Sequence, residues 1–487
     1  MMIPAPHLEI DVLVLGIGML LVEIFAGKMN RKVLAFAGII GLILVLVATF
    51  FVQQNPTHEQ ATGFWSFYTA DPLSILFKRF ALVTTIIVLV MMIDYAPVVR
   101  TFRSSTESGL GEFFTIPVFT CAGLMYLVSA VDFVMIFVSL ELVTVSFYVL
   151  VSFTRKSPAA LEAGVKYLIL SAVSTAFLVY GITWIFGVTG ETNLDRISAA
   201  LSSIDVDRTA ATFGALLVLV ALGFKIAAVP FQIWVPDVYQ GAPTPVTAFL
   251  SVGSKAAGFV VLVRVLRPFL ILPNMERLIV LIAILTLIYG NLAALPQNNL
   301  KRLLAYSSIA HAGYLLVGVA CFAGSAVVFY LVAYLLMTML GFAVLIIVAQ
   351  QTGEGISDFE GLAKRSPLLA FAMLIAMISL AGVPFTAGFL GKFFIFSAAV
   401  SQHQVTLVLV GIITVACGFY YYLKVVRAMY WQPATNAGTI SASILSRAMI
   451  GMLIIAIVWL GIYPQPILRA LAGQNPSLVV AKAISTR

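Results

Sequence analysis

Apolar residues along this chain run in long blocks separated by short polar turns, not in the stripes of a water-soluble fold. Fourteen blocks stand out, at about 8–26, 33–52, 75–93, 112–130, 132–152, 161–188, 211–239, 244–268, 276–295, 301–320, 324–349, 367–400, 404–424 and 448–465. A helix of about 20 apolar residues crosses the hydrocarbon core of a bilayer. Each block therefore predicts a membrane-spanning helix, and the chain reads as an all-α polytopic membrane protein of about 14 spans. Roughly 35 residues per span, loop included, leave little room for an extramembrane domain.

Two blocks are too long and are interrupted: LGFKIAAVPFQIWVPD (222–237) and SLAGVPFTAGFLGKFFIF (379–396). Both contain Val-Pro-Phe, at 229–231 and 383–385, and both place a lysine within ten residues of the proline. Proline removes a helical hydrogen bond and clashes with the preceding turn. A broken helix survives in a membrane only where protein or a water-filled cavity satisfies the freed groups. Paired interrupted spans are the sequence sign of repeated transporter halves. The interruptions fall in the seventh and twelfth spans, five apart. Five is odd, so spans 4–8 and 9–13 are expected to be two five-helix repeats of inverted topology. The expected segments are 1–111 (three helices), 112–268 (first repeat), 269–430 (second repeat) and 431–487 (loop, last span and tail). Two unrelated proline kinks are the plainer alternative.

Composition agrees with the pattern. Of 487 residues, 61% are hydrophobic and 10% charged, and the mean hydropathy is +1.07. Ordinary soluble domains carry about 25% charged residues, so a soluble enzyme, a nucleic-acid module and a disordered chain are excluded. The net charge of +8 comes with no run of five Lys/Arg. The positives gather at block ends. Odd-numbered loops, beginning with Lys28, Arg31 and Lys32 and including Arg100 and Arg103, hold fourteen; even loops and nearby helix ends, with Lys78, Arg79, Arg264 and Arg267 among them, hold seven. The positive-inside rule then puts both termini outside the cytoplasm. MMIPAPHLEID has no basic residue before its apolar run and does not read as a cleaved signal peptide. Cys121, Cys321 and Cys417 are scattered, with no CxxC, so the chain shows no Fe–S, haem or zinc signature.

Ionisable residues inside the blocks carry the chemistry. Each costs about 2.5–3.5 kcal/mol on insertion scales and needs a reason. Glu141 lies mid-span in SLELVTVSFYVL, Lys225 just before the first break, and Lys255 in the middle of FLSVGSKAAGF. Lys392 lies in the second broken span, and His311 in AYSSIAHAGYLL. Burial penalises charge and an opposite charge restores it, so a Glu beside a Lys can make that Lys hold or release a proton, the pair titrating as a unit. A neutral His passes a proton between its two nitrogens. Static alternatives stand beside each: a salt bridge for Glu141, a carbonyl cap for Lys392, a packing role for His311. Lys166 can pair with Glu162 four residues earlier or join the pathway. Arg264, Arg267 and Asp132 read as helix-end charges. WVPDVYQGAPTPVTAF (234–249) reads as a rigid turn with Trp234 and Tyr239 at the membrane interface, and Tyr420, Tyr421 and Tyr422 read as interfacial anchors.

These residues resemble the antiporter-like subunits of proton-pumping NADH:quinone oxidoreductase, respiratory complex I. The likeness covers nearly the whole chain, most clearly 112–430. The family's marks are a Glu on the fifth helix, a Lys on the broken seventh, a Lys on the eighth and a charged residue on the broken twelfth, which fall on Glu141, Lys225, Lys255 and Lys392. PDVYQGAPTPVTAFLSVGSKAA (236–257), NLKRLLAYSSIAHAGY (299–314) and YYYLKVVRAMY (420–430) are most similar to the subunit N (subunit 2) branch. So are a lysine in the twelfth span, the chain's end soon after span 14, and Lys166 on the sixth helix. One position departs: the family's usual VPFH is VPFQ here, with Gln232, which hydrogen-bonds but does not titrate. The resemblance implies a proton channel in the membrane arm, with FMN, Fe–S clusters and quinone held by partner subunits and no cofactor on this chain. It implies subunits K and M as neighbours and the lateral helix of subunit L along one flank, in a coupling membrane that the fourteen-span length reads as the bacterial plasma membrane. A subunit of a multi-subunit Na⁺/H⁺ antiporter or membrane-bound hydrogenase shares the fold and the buried lysines; a solute transporter and a structural scaffold are the other rivals.

Overall fold

The computed structural model describes residues 3–26, 31–53, 63–102, 110–203, 206–434 and 438–472, so Lys28 and Arg103 lie outside the described residues. The chain divides into two compact units, residues 1–226 with 241–275, and residues 227–240 with 276–487. In chain order the first stretch holds α1 (His7–Phe25), α2 (Lys32–Ala48), α3 (Pro72–Thr101), α4 (Leu110–Ser129), α5 (Phe133–Val151), α6 (Pro158–Thr189), α7 (Leu194–Leu201) and α8 (Arg208–Ile226). Then come α9 (Val235–Gly241), α10 (Thr244–Phe249) and α11 (Lys255–Phe269). The remainder is α12 (Met275–Ala294), α13 (Leu300–Ala320), α14 (Gly324–Ala349), α15 (Leu362–Arg365), α16 (Pro367–Ala381), α17 (Ala387–Ser401), α18 (Val405–Trp431), α19 (Ile444–Ile462) and α20 (Gln465–Ala472).

Every predicted span has its helix. Among the described residues twelve helices are long and apolar enough to cross a membrane. The other two predicted spans are special cases. One is α1, of 19 residues, which carries Glu9, Asp11 and Glu23. The other is the interrupted block 367–400, which divides into α16 and α17, 15 residues each. Helix starts follow local chemistry. Asp71 caps α3 by accepting from Ser74 N at 2.8 Å, with Pro72 in the first turn; Asp132 and Asn193 cap α5 and α7. Carboxylate and amide caps satisfy the backbone donors that a helix start leaves over.

Both predicted breaks are present. α8 stops at Ile226, residue Ala227 takes φ +64°, and helical structure resumes only at Val235. Thr286 Oγ1 satisfies the freed Val229 N–H at 3.0 Å. α16 ends on Gly382, at φ +92°, a left-handed conformation that glycine adopts without the Cβ penalty. A third irregularity was not expected: Leu250–Ser254, between α10 and α11, is π-helical. α11, α13 and α14 are almost wholly buried, while α2, α6 and α18 turn apolar faces outward. Such faces suit lipid or further protein, because a bilayer does not penalise exposed Val, Ile or Phe. α6 and α8 meet through Gly181 and Gly214, each of which sits against the other's backbone oxygen with no room for a Cβ.

Candidate functional site

The first unit holds Glu141, Lys166, Lys225 and Lys255. Lys225, in the last turn of α8, is 7% exposed and donates to Thr144 Oγ1 on α5. Glu141, one turn before Thr144 on the same helix, accepts from Thr175 Oγ1 of α6 at 2.7 Å. Each charge is thus held by its own threonine hydroxyl from a neighbouring helix, and among the described residues the two form no salt bridge. A hydroxyl can accept from Lys225 while turning its own proton elsewhere, so it can follow a change in the ammonium. Beside Lys225 lies a cavity of about 10 Å³, lined by Leu127, Leu140, Leu222, Ser254 and Gly258 among others. That is about the least space a single water needs.

Lys255 is 1% exposed and begins α11 directly after the π-helical turn. Gly258, one turn on, lies against Lys225: a Cβ there would sit 3.6 Å from the Lys225 Cβ. The small residues around Lys255 therefore bring the two lysine-bearing helices close, as the sequence suggested. Lys166 stands apart. It is half-exposed and pairs with Glu162 at 2.7 Å on the open face of α6, the i,i+4 geometry read from the sequence.

The second unit holds His311, Lys392 and Gln232. Lys392 is 5% exposed and donates to the carbonyls of Leu380 and Ala381, at 2.9 and 2.8 Å. These are the oxygens freed where α16 ends. The lysine of the second broken span thus caps the break, and its ammonium lies 4.9 Å from the Tyr314 ring centre. His311 is 1% exposed; Nδ1 lies 2.7 Å from Tyr330 Oη and Nε2 lies 3.1 Å from Tyr422 Oη. Gln232 is buried, and its Oε1 has no hydrogen-bond partner among the described residues.

Three expectations need correction. Tyr421 and Tyr422 are not interfacial anchors: both are buried, Tyr421 donating to Asn291 Oδ1 and Tyr422 meeting His311 and Ser307, while Tyr420 alone faces outward. Adjacent helical residues point about 100° apart, so three in a row could not share one exposed face. Trp234 and Tyr239 are likewise buried, Tyr239 Oη lying 3.5 Å from Ser308 Oγ. Lys78 is not a helix-end charge. It is fully buried, pairs with the fully buried Glu9 at 2.8 Å, and also donates to Tyr68 Oη, which itself donates to Glu9. The signal for it was Asp71-Pro72: a cap there starts α3 at 72, not 75, and carries Lys78 into its second turn. Arg264, read as a helix-end charge, binds both oxygens of Asp71, at 2.8 and 3.0 Å. Burial works against the Asp71 charge, but Arg264 and the Ser74 N–H outweigh it and hold this carboxyl below the usual carboxylate range.

Among the described residues no group of three or more His, Cys, Asp or Glu is placed to hold a metal. Two sets of buried lysines, hydroxyls and one imidazole can hold, pass and release protons; they offer no electron carrier.

The family described as NADH:quinone oxidoreductase/Mrp antiporter, transmembrane, matches residues 130–418. The NADH-quinone oxidoreductase subunit N of Trichlorobacter lovleyi is 40% identical over 435 residues, 87% of each chain. A chain of respiratory complex I from Thermus thermophilus superposes with a TM-score of 0.81 at 31% identity, covering 96% of this chain and 100% of that one. A chain of an archaeal membrane-bound sulfane sulfur reductase shares the fold, with a TM-score of 0.83 at 23% identity over 96% of each.

Proposed function

The chain belongs to the NADH:quinone oxidoreductase/Mrp antiporter family, and from that premise we propose that it is the subunit N of a proton-translocating NADH:quinone oxidoreductase. NADH oxidation, with its FMN, Fe–S clusters and quinone, takes place in partner subunits; this chain carries protons. The observation that supports this most is the pairing of buried Lys225 with Thr144, one turn from Glu141, beside space for a water. A charge change arriving at Glu141 alters the cost of keeping Lys225 protonated. Lys225 then gives its proton toward Lys255, whose helix is held close by Gly258. In the second unit His311 and Lys392 continue the pathway, Lys392 releasing a proton as its hold on the Leu380 and Ala381 carbonyls loosens. Lys166 loads the entry when its pairing with Glu162 changes. Gln232, unable to titrate, serves by holding a water on its open Oε1.

On this reading spans 4–8 and 9–13 are inverted repeats, each built round one break, within the divisions 1–111, 112–268, 269–430 and 431–487. The chain assembles with other complex I subunits, K and M at its sides and the lateral helix of L along it, in a bacterial plasma membrane with both termini outside the cytoplasm. The test is purification through a tag on this chain in mild detergent, with NADH:quinone reductase measured on the product, followed by NADH-driven proton transport in vesicles carrying Lys225→Met. A flavin- and Fe–S-containing complex that oxidises NADH, with proton transport impaired by the variant, is expected. A complex without NADH oxidation would transfer the chain to an antiporter or hydrogenase assembly. Full proton yield in the assembled variant would overturn the transport role.

A further inference from the structure

The second unit contains a continuous line of hydroxyls through its histidine that neither the break nor the lysines explain. Tyr330 on α14, His311 on α13, Tyr422 on α18 and Ser307 on α13 are each at most 2% exposed. Tyr330 Oη meets His311 Nδ1 at 2.7 Å, His311 Nε2 meets Tyr422 Oη at 3.1 Å, and Tyr422 Oη is bonded to Ser307 Oγ. Ser307 and His311 are four residues apart, one turn on the same face. At the other end the Tyr330 ring packs on Gly391, the neighbour of Lys392; a Cβ at 391 would run into that ring.

We propose that Tyr330, His311, Tyr422 and Ser307 form a proton relay, with the two tyrosine hydroxyls as proton-transfer groups flanking the imidazole. A buried histidine needs partners on both nitrogens whatever its role; what marks this one is that both partners are hydroxyls, which donate or accept by turning, so a proton taken up at one nitrogen has an acceptor waiting at the other. The transfer balances. With Nε2 protonated, Tyr330 donates to Nδ1 and Tyr422 accepts from Nε2. A proton arriving on the Tyr330 oxygen releases the Tyr330 O–H proton to Nδ1. Nε2 gives its proton to the Tyr422 oxygen, and Tyr422 passes its own to Ser307, which releases one onward. One proton enters and one leaves. The ring ends with Nδ1 protonated and Nε2 bare, so before the next transfer in the same direction the imidazole must reorient to present an unprotonated nitrogen to Tyr330, while the hydroxyls rotate back. No oxidant, reductant or charged tyrosine is needed.

Fully buried hydroxyls and imidazole are costly unless bonded, and three different helices supply them to one line. Tyr334 provides the internal comparison. Its ring also lies against His311, centroids 5.2 Å apart, but its hydroxyl goes to Ser308 at 2.9 Å. It contributes packing without belonging to the line.

This inference rests on the transport role proposed above, and the test separates the two. Tyr330→Phe, Tyr422→Phe, Tyr334→Phe and Lys225→Met are made in the intact complex. NADH-driven proton uptake is measured in inside-out vesicles, with NADH oxidation by an artificial acceptor as the measure of assembled enzyme. Tyr330→Phe and Tyr422→Phe keep the rings and are expected to lower proton uptake about tenfold or more at unchanged acceptor activity, because a positioned proton-transfer group contributes about a hundredfold or more to its step. Tyr334→Phe is expected to transport as the parent does. Full-rate transport by either Tyr330→Phe or Tyr422→Phe, or an equal loss in Tyr334→Phe, overturns the relay. Where a Phe variant fails to assemble, Ser307→Ala, which removes only the terminal hydroxyl, decides: slow transport supports the relay and full-rate transport overturns it. Slow transport in Lys225→Met with full rates in both Phe variants overturns the relay alone. A full rate in Lys225→Met overturns the transport role and the relay with it.

Discussion

Lys392 holds a helix end together and is also offered as a proton carrier, and two substitutions separate these roles. Its ammonium donates to the Leu380 and Ala381 carbonyls at 2.9 and 2.8 Å inside the protein. Hydrogen bonds to a charged group contribute about 1.5–3 kcal/mol each. Lys392→Met keeps the volume and removes both, leaving two buried oxygens unpaired, a loss of about 3–6 kcal/mol less whatever a water restores. An unfolding entropy of about 2.1 cal/mol/K per residue makes each kcal/mol worth about 1 °C in a chain of 487 residues, so its melting temperature should fall by about 3 °C or more. Lys392→Arg supplies donors for the same carbonyls but stays charged at every accessible pH. It should melt within about 1 °C of the parent and yet fail to release a proton. Thermal unfolding in detergent and NADH-driven proton transport in vesicles, run on both variants, give the answer. Parental transport in Lys392→Arg would show that Lys392 never needs to lose its proton, and the carrier role would fall. Parental stability in Lys392→Met would refute the capping argument.

Four further outcomes follow from the geometry. Thr144→Val keeps the shape of the side chain but removes the acceptor of Lys225; one such bond, about 1.5 kcal/mol or more, should change the rate of coupled NADH oxidation about tenfold with assembly intact on native gels. Gly391→Ala drives a methyl into the Tyr330 ring and should slow proton transport while Gly451→Ala, which meets nothing, does not. Glu9→Gln leaves Lys78 as a buried unpaired charge and should cost about 3–5 kcal/mol in thermal unfolding, most of it recovered by Glu9→Leu with Lys78→Met, since replacing a whole buried pair is often neutral. Asp71 is held below the ordinary carboxylate range by Arg264 and Ser74. Its contribution is therefore complete above about pH 4, the value of the unfolded side chain, and is lost as pH falls through the lower folded value. Asp71→Asn should flatten the acid limb of a stability-against-pH curve.

Helix positions were legible because a bilayer imposes one rule on every span: the backbone pairs with itself and the side chains are apolar over a fixed length. Val-Pro-Phe marked both breaks for the same reason, since proline acts locally. Lys225, Lys255 and Lys392 stood out because charge in an apolar block has no ordinary use. What their ammonium groups touch was not legible: Thr144 is 81 residues from Lys225 and reads as one more β-branched residue in α5. Tyr421 and Tyr422 were misread for a related reason. Tyrosine serves equally well at a membrane surface and in a buried hydrogen-bonded cluster, and only the packing of α18 on α13 chooses. Lys78 was hidden by a boundary error of three residues.

The π-helical turn Leu250–Ser254 has a geometric meaning for the lysine that follows it. An α-helix advances about 100° per residue, and a π-turn holds one residue more than an α-turn. Lys255 therefore stands on a face of its helix that it would not occupy if the five residues before it were wound as the rest are. Rewinding that turn would swing the ammonium about 100° round the axis and shift it about 1.5 Å along it. That displacement exchanges one set of neighbours for another without moving either end of the span, because the spare residue can pass along the helix as a wrinkle passes along a carpet. Ser251, Gly253 and Ser254 add little side-chain bulk to that turn, so the winding of five residues alone sets the direction in which the Lys255 ammonium points.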